Sequence, residues 1–149
     1  MADDVALLAV RLEPVPTERM EITLRAEPES LAQMRRGVGR WLRAADASDS
    51  ETYETLVACG EACANAIAHA YPPGEASYVV EARRTDGGIE VRVRDFGSWR
   101  PPRAGSQGRG LGLMEELMDE VEIDRGPSGT VVRMRRSLQG SEKTPGVPA

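Results

Sequence analysis

The sequence predicts an α/β (α+β) two-layer sandwich, with a mixed, mostly antiparallel sheet covered on one face by about three helices. Three observations carry that expectation. Two-residue alternation of apolar and polar side chains recurs over 20–26, 77–84, 89–94 and 130–136, the period of half-buried strands. Two long stretches, over 31–45 and 51–71, lack proline and space their apolar residues as helices do, and a shorter one covers 111–118. The order is strand, helix, helix, hairpin, loop, helix, hairpin, which lets helices cover one sheet face and leaves the other partly polar.

Each element has its own warrant. The apolar run over 5–12 reads as a buried strand, broken by Pro14 and Pro16. Met20, Ile22 and Leu24 alternate with Glu21, Thr23 and Arg25. Ser30 can cap the next helix, whose apolar side is Leu31, Met34, Val38, Trp41 and Leu42. A loop over 46–50 leads to the central helix, with Asp49 or Ser50 as its cap and Glu51 and Glu54 suiting its positive end. Pro72, Pro73 and Gly74 stop that helix. Tyr78, Val80 and Ala82 share one side of the next strand, Asp86-Gly87-Gly88 makes a hairpin turn, and Ile89, Val91 and Val93 point in while Glu90, Arg92 and Arg94 point out. That strand delivers Asp95 at its end. Residues 96–109 show no periodicity. A strand over 121–124, a turn and a last strand with Val132 and Met134 turned to one side close the fold.

The 149 residues suit one domain with a real core. The division expected is a strand and linker over 1–16, the main domain over 17–137, and a disordered tail or linker over 138–149. A formal net charge of -5 argues against a nucleic-acid partner. No apolar run approaches the ~20 residues of a membrane span, and no signal peptide is evident, so a cytoplasmic protein without membrane contact is expected. Cys59 and Cys63 lie on neighbouring turns of the central helix and read as small buried hydrophobes.

The chemistry concentrates on that central helix. Glu61, Asn65 and His69 are four apart and share a stripe, while Cys63, Ile67 and Ala70 form an apolar one. A carboxylate can act as general base, and a carboxamide oxygen can ligate a hard cation such as Mg²⁺. Downstream come Asp95-Phe96-Gly97, then Gly108-Arg109-Gly110-Leu111-Gly112, then Gly129-Thr130. The glycine run is not the dinucleotide fingerprint, which is G-x-G-x-x-G directly after a first strand, and no Gly-Lys-Ser/Thr follows to make it a Walker A loop.

With the Glu-x-x-x-Asn-Ala helix, these four blocks in this order resemble the N, G1, G2 and G3 boxes of the GHKL, or Bergerat-type, ATP-binding fold. Within that superfamily they look like the anti-sigma-factor serine/threonine kinases of bacteria, over about residues 20–136. The resemblance implies ATP and Mg²⁺ as cofactors and a role for each residue. Asp95 accepts the exocyclic amine of adenine, Gly97 lets the backbone approach the base, and Thr130 supports the same pocket. Gly108, Gly110 and Gly112, with Leu111, turn amides toward phosphate at a positive helix end, and Arg109 reaches for the phosphates. Asn65 ligates Mg²⁺, and Glu61 takes the proton from an acceptor serine. His69 is read as structural. It is the sole histidine and lies inside the site helix, so an autophosphorylating histidine kinase is not expected.

The Asp3-Asp4-Val5-Ala6-Leu7-Leu8 segment resembles the last strand of metal-dependent phosphatase domains often fused ahead of such kinases, which points to a fused phosphatase. One departure stands out. Related kinases place a second glycine two residues after Gly97; here Trp99 stands there, followed by Arg100, Pro101 and Pro102, which stiffen the lid. The resemblance implies a kinase that phosphorylates an anti-sigma-factor antagonist on serine and sequesters a sigma factor, with a possible homodimer through the apolar side of the 20–26 strand and the 31–45 helix. A catalytically weak nucleotide-binding module that gates partner binding or an attached phosphatase is the alternative.

Overall fold

The computed structural model describes residues 18–69, 75–97 and 109–139. The expected strand over 5–12, the aspartates Asp3 and Asp4, the stop at Pro72 to Gly74, the lid residues Trp99, Pro101 and Pro102, Gly108 and the tail from 140 lie outside the described residues.

Five strands form one sheet: β1 (Arg19–Arg25), β2 (Ser77–Thr85), β3 (Gly88–Asp95), β4 (Glu120–Gly126) and β5 (Gly129–Ser137), in the spatial order β1-β2-β3-β5-β4. Every described pairing is antiparallel, so the mixed sheet expected from the sequence is corrected to a wholly antiparallel one. Three helices, α1 (Ser30–Ala44), α2 (Asp49–Ala68) and α3 (Arg109–Leu117), complete a two-layer α+β fold.

The alternation read from the sequence decides which side chains meet the helices. Tyr78, Val80 and Ala82 from β2, Ile89, Val91 and Val93 from β3, and Val132 and Met134 from β5 are buried in one core with Met34, Val38, Trp41 and Leu42 of α1. The fully buried apolar residues of the central helix are all small, Ala58, Cys59, Ala62, Cys63 and Ala66, so its axis can lie close to the sheet. Both cysteines are free, and burial pushes the Cys63 thiol up to about 12 and Cys59 well above its ordinary value, so both stay protonated and apolar.

The helix starts differ from the sequence reading. Ser48, not Asp49 or Ser50, caps α2: its hydroxyl accepts from the Glu51 amide at 3.1 Å, and Glu51 Oε1 accepts from the Ser48 amide at 2.8 Å. Ser30 is the first residue of α1 rather than its cap, because its hydroxyl is taken by the Glu27 carbonyl and by Tyr78 Oη, 2.6 Å away in the core. Leu138, placed in the tail by the sequence, is fully buried, and its amide donates to Gly87 O at 2.9 Å. The amide of Gln139 then donates to Glu51 Oε2 at 2.6 Å.

The other sheet face carries no described helix. Glu90 points out onto this face, as the alternation predicts, yet its side chain is 0% exposed. Arg83 Nε and Arg135 Nε each sit 3.0 Å from it, Arg92 Nε 3.2 Å and Arg133 Nε 4.0 Å. The register explains the cluster, since Arg83 and Arg135 flank Glu90 directly across β2 and β5. Long guanidinium stems fold over the carboxylate and exclude water themselves.

Candidate functional site

Between α2 and the far end of the sheet lies a narrow cleft lined by Ala62, Asn65, Ala66, His69, Val93, Asp95, Ile123, Arg125, Thr130 and Val132. Its helical wall is Ala62, Asn65, Ala66 and His69, which is the i, i+3, i+4, i+7 face of α2. The alanines keep that wall low. The free space is about 30 Å³, room for a water rather than a purine.

Asp95 forms the floor. It ends β3 opposite Thr130 of β5 and Tyr78 of β2, and it is 7% exposed. The amides of Gly97 and Thr130 both donate to its Oδ1, at 3.2 and 3.3 Å, and neither uses Oδ2. Burial pushes the Asp95 carboxyl up from its ordinary value, against the two backbone hydrogen bonds and the neighbouring His69, which pull it down. Gly129 makes this junction possible. Its φ is +139°, and a Cβ there would overlap the Asp95 carbonyl.

The third helix brings the glycine-rich block to the same place. It begins at Arg109, two residues before the expected start. A Cβ placed on Gly110 would lie 3.2 Å from Glu61 Oε2 and 3.7 Å from Asn65 Nδ2, so the α3 backbone sits directly on the Glu61–Asn65 stripe of α2. Leu111 packs against the core from the same turn. Gly112 has nothing within 4 Å of a Cβ and takes no part in that contact. The Arg109 side chain and Gly108 fall outside the described residues, so their expected places are not part of this geometry. Glu61, Asn65, Asp95, Gly97, Gly110 and Thr130 are therefore gathered along one side of α2.

The helix bearing Glu61 and Asn65 pins one end of the glycine-rich helix, and the G3-type turn touches the G1-type aspartate through its backbone. Residues 24–136 match the histidine kinase-like ATPase domain family. The chain belongs to the histidine kinase-like ATPase domain family. Its relatives within the family include the anti-sigma F factor of Heyndrickxia coagulans, 31% identical over 136 residues, a match covering 80% of this chain and 91% of that protein. The serine-protein kinase RsbW of Bacillus subtilis (strain 168) is 30% identical over 139 residues, covering 81% of this chain and 86% of that one. Among solved structures, the RsbU and RsbW domains of Rv1364c from Mycobacterium tuberculosis superpose with a TM-score of 0.70 at 28% identity. That superposition covers 83% of this chain but 33% of the other, so the histidine kinase-like ATPase domain spans about a third of that longer chain.

The sequence did not name every residue that lines this cleft. His69, read as structural, is one of its lining residues, beside Asp95. The signal was present in the helical spacing of Ala62, Asn65, Ala66 and His69. Ile123 and Arg125 had no signal, because only the pairing of β4 with β5 carries them there. Larger recesses lie elsewhere. One of about 500 Å³ runs along Arg19, Arg83 and Glu90 on the outer face, and one of about 410 Å³ lies between α1 and α2, lined by Leu31, Leu56, Val57 and Glu61. Among the described residues, no cluster of three His, Cys, Asp or Glu could hold a metal ion, and no helix is long and apolar enough to cross a membrane.

Proposed function

We propose that this domain is an ATP-dependent serine/threonine protein kinase and anti-sigma factor of a partner-switching pathway. It phosphorylates an anti-sigma-factor antagonist on serine and sequesters a sigma factor while the antagonist is absent or phosphorylated. The observation that carries the reading is the contact of Gly110 with both Glu61 and Asn65, one turn of α2 away from the cleft floored by Asp95. A base-recognition carboxylate, a cation ligand, a phosphate-facing helix end and a proton acceptor then follow one another along a single line. The names of the relatives support the same reading.

In this reading the adenine amine donates to Asp95 Oδ2, with Oδ1 held by the Gly97 and Thr130 amides. The first turn of α3 turns backbone amides toward the phosphates. One exposed carboxamide, Asn65, suits Mg²⁺, which keeps most of its waters and binds through substrate phosphates. When bound, that ion neutralises phosphate charge. Glu61 accepts the proton of the serine hydroxyl as that oxygen attacks the γ-phosphorus, and ADP leaves. Glu61 also lines the groove between α1 and α2, whereas Asn65 lines the cleft, so acceptor and donor can approach the Glu61 turn from two sides.

The partners proposed are the antagonist, the sigma factor and a second copy, the last through Met20 and Ile22 of edge strand β1 and Leu31 of α1, all only partly buried. A phosphatase domain fused ahead of this one, and a cytoplasmic location, belong to the same proposal. The second reading, a nucleotide-gated module with weak or no turnover, rests on Trp99, Pro101 and Pro102 in place of a glycine-rich lid. Incubation with γ-labelled ATP and a candidate antagonist separates the two. Label on the antagonist that drops about 10²–10⁴-fold in Glu61→Ala, with ATP binding intact, supports the kinase. ATP binding with no transfer to any antagonist supports the module.

A further inference from the structure

Arg136 ends the inward row of β5 that begins with Thr130, Val132 and Met134, and its two terminal nitrogens go to two different helices. Nη1 donates to the carbonyl of Leu117, the last residue of α3, at 2.7 Å. Nη2 meets Glu54 Oε1 of α2, also at 2.7 Å. The Arg136 side chain is 18% exposed and that of Glu54 34%, so the fork is largely shielded from water. A guanidinium at a helix C-terminus satisfies one of the unpaired last carbonyls and is favoured by the helix dipole.

The spacing gives this fork a geometric meaning. Leu117 is seven residues after Gly110 on α3, and Glu54 is seven residues before Glu61 on α2. At about 1.5 Å per residue, both spans are about 10.5 Å. The third helix therefore lies antiparallel along the second and touches it at both ends, through Gly110 at the Glu61 end and through Arg136 at the Glu54 end. Met114 and Met118 hold α3 down on the core, but apolar contact is non-directional and leaves axial sliding cheap. A two-pronged, charge-assisted hydrogen bond fixes position along the axis.

We infer that Arg136 is a positioning residue for phosphate binding: by clamping the far end of α3 to Glu54, it sets where the Gly110 end sits against Glu61 and Asn65. This rests on the nucleotide reading above, with phosphates at the start of α3 and the base at Asp95. Arg136 itself touches neither.

The test is calorimetric titration of the whole chain and of Arg136→Met with Mg·ATP and with adenosine, the latter by displacement. Arg136→Met should bind ATP about tenfold more weakly and adenosine within twofold of the unaltered protein, because only the phosphate end has moved. Arg136→Lys, which can reach one partner but not both, should fall between. A merely structural role would lower the melting temperature and change both ligands alike, or neither, and that result overturns the inference. Should Arg136→Met fail to fold, Glu54→Gln removes the charge of the other prong and should show the same ATP-specific loss on a smaller scale; equal affinities there overturn the inference as well. A wild-type chain that binds no ATP overturns the nucleotide reading itself and the positioning role with it.

Discussion

The two faces of the sheet each bury one carboxylate, and they treat it in opposite ways. Asp95, on the helix side, receives two backbone amides on a single oxygen, and burial leaves its pKa raised. Glu90, on the outer side, is ringed by Arg83, Arg92, Arg133 and Arg135. Burial would push Glu90 up too, but hydrogen bonds from Arg83 and Arg135, with the charges of Arg83 and Arg92, hold it at about 2. The lesson is one of saturation. Glu90 has its hydrogen-bonding capacity consumed by the fold, whereas Asp95 keeps an oxygen that neither amide uses. A buried acid marks a site only when the protein declines to neutralise it.

The contrast breaks most sharply at Asp95. Asp95→Asn keeps an oxygen for the two amides but puts an NH₂ where the adenine amine would donate. ATP affinity should fall about 100-fold, or about 2.7 kcal/mol, by calorimetry, while the melting temperature holds. A variant that binds ATP normally removes Asp95 from the base pocket. At Glu90 the pattern should reverse. Glu90→Gln should cost about 2 kcal/mol in urea unfolding, with ATP affinity unchanged, because it leaves several guanidinium groups facing one another without a counter-charge. Loss of ATP binding in that variant would couple the two faces and dissolve the comparison.

The pH dependences differ in sign. Glu90 titrates near 2 when folded against an ordinary 4.5, so its stabilising contribution is complete above about 4.5 and is lost as pH falls from 4.5 toward 2. The raised pKa of Asp95 works the other way: its share of stability declines as pH rises from the ordinary value through the folded one. Unfolding midpoints measured from pH 2 to 6 should therefore lose their acid limb in Glu90→Gln and keep it in Asp95→Asn. The smallest effect belongs to Arg133, the most distant of the four arginines at 4.0 Å, whose Nε finds no hydrogen-bond partner. Arg133→Ala should change stability by about 0.5 kcal/mol or less; a larger loss in the same unfolding assay would show that all four arginines act as one unit.

These two carboxylates also measure what the chain made legible. Alternation placed Asp95 at the end of its strand, because strand register is local information, while its site role came only from the resemblance. Helical spacing put Glu61 and Asn65 on one stripe for the same reason. Alternation put Glu90 on the outer face but could not name its partners, most of which come from other strands, Arg135 lying 45 residues downstream. Alternation says which face a side chain takes but not who covers it. The cap of α2 was misplaced among Ser48, Asp49 and Ser50, although the Ser48-x-x-Glu51 spacing held the answer. That His69 lies near Asp95 was not legible, because Asp95 belongs to a strand that only the tertiary fold brings across.

The docking of Leu138 and Gln139 has a practical edge. Cutting the gene after codon 136, where similarity to the family stops, would strip a fully buried leucine from beneath the β2–β3 hairpin and take away the amide that anchors the capping glutamate. A shortened polypeptide should instead retain residue 139, and any purification handle belongs beyond it.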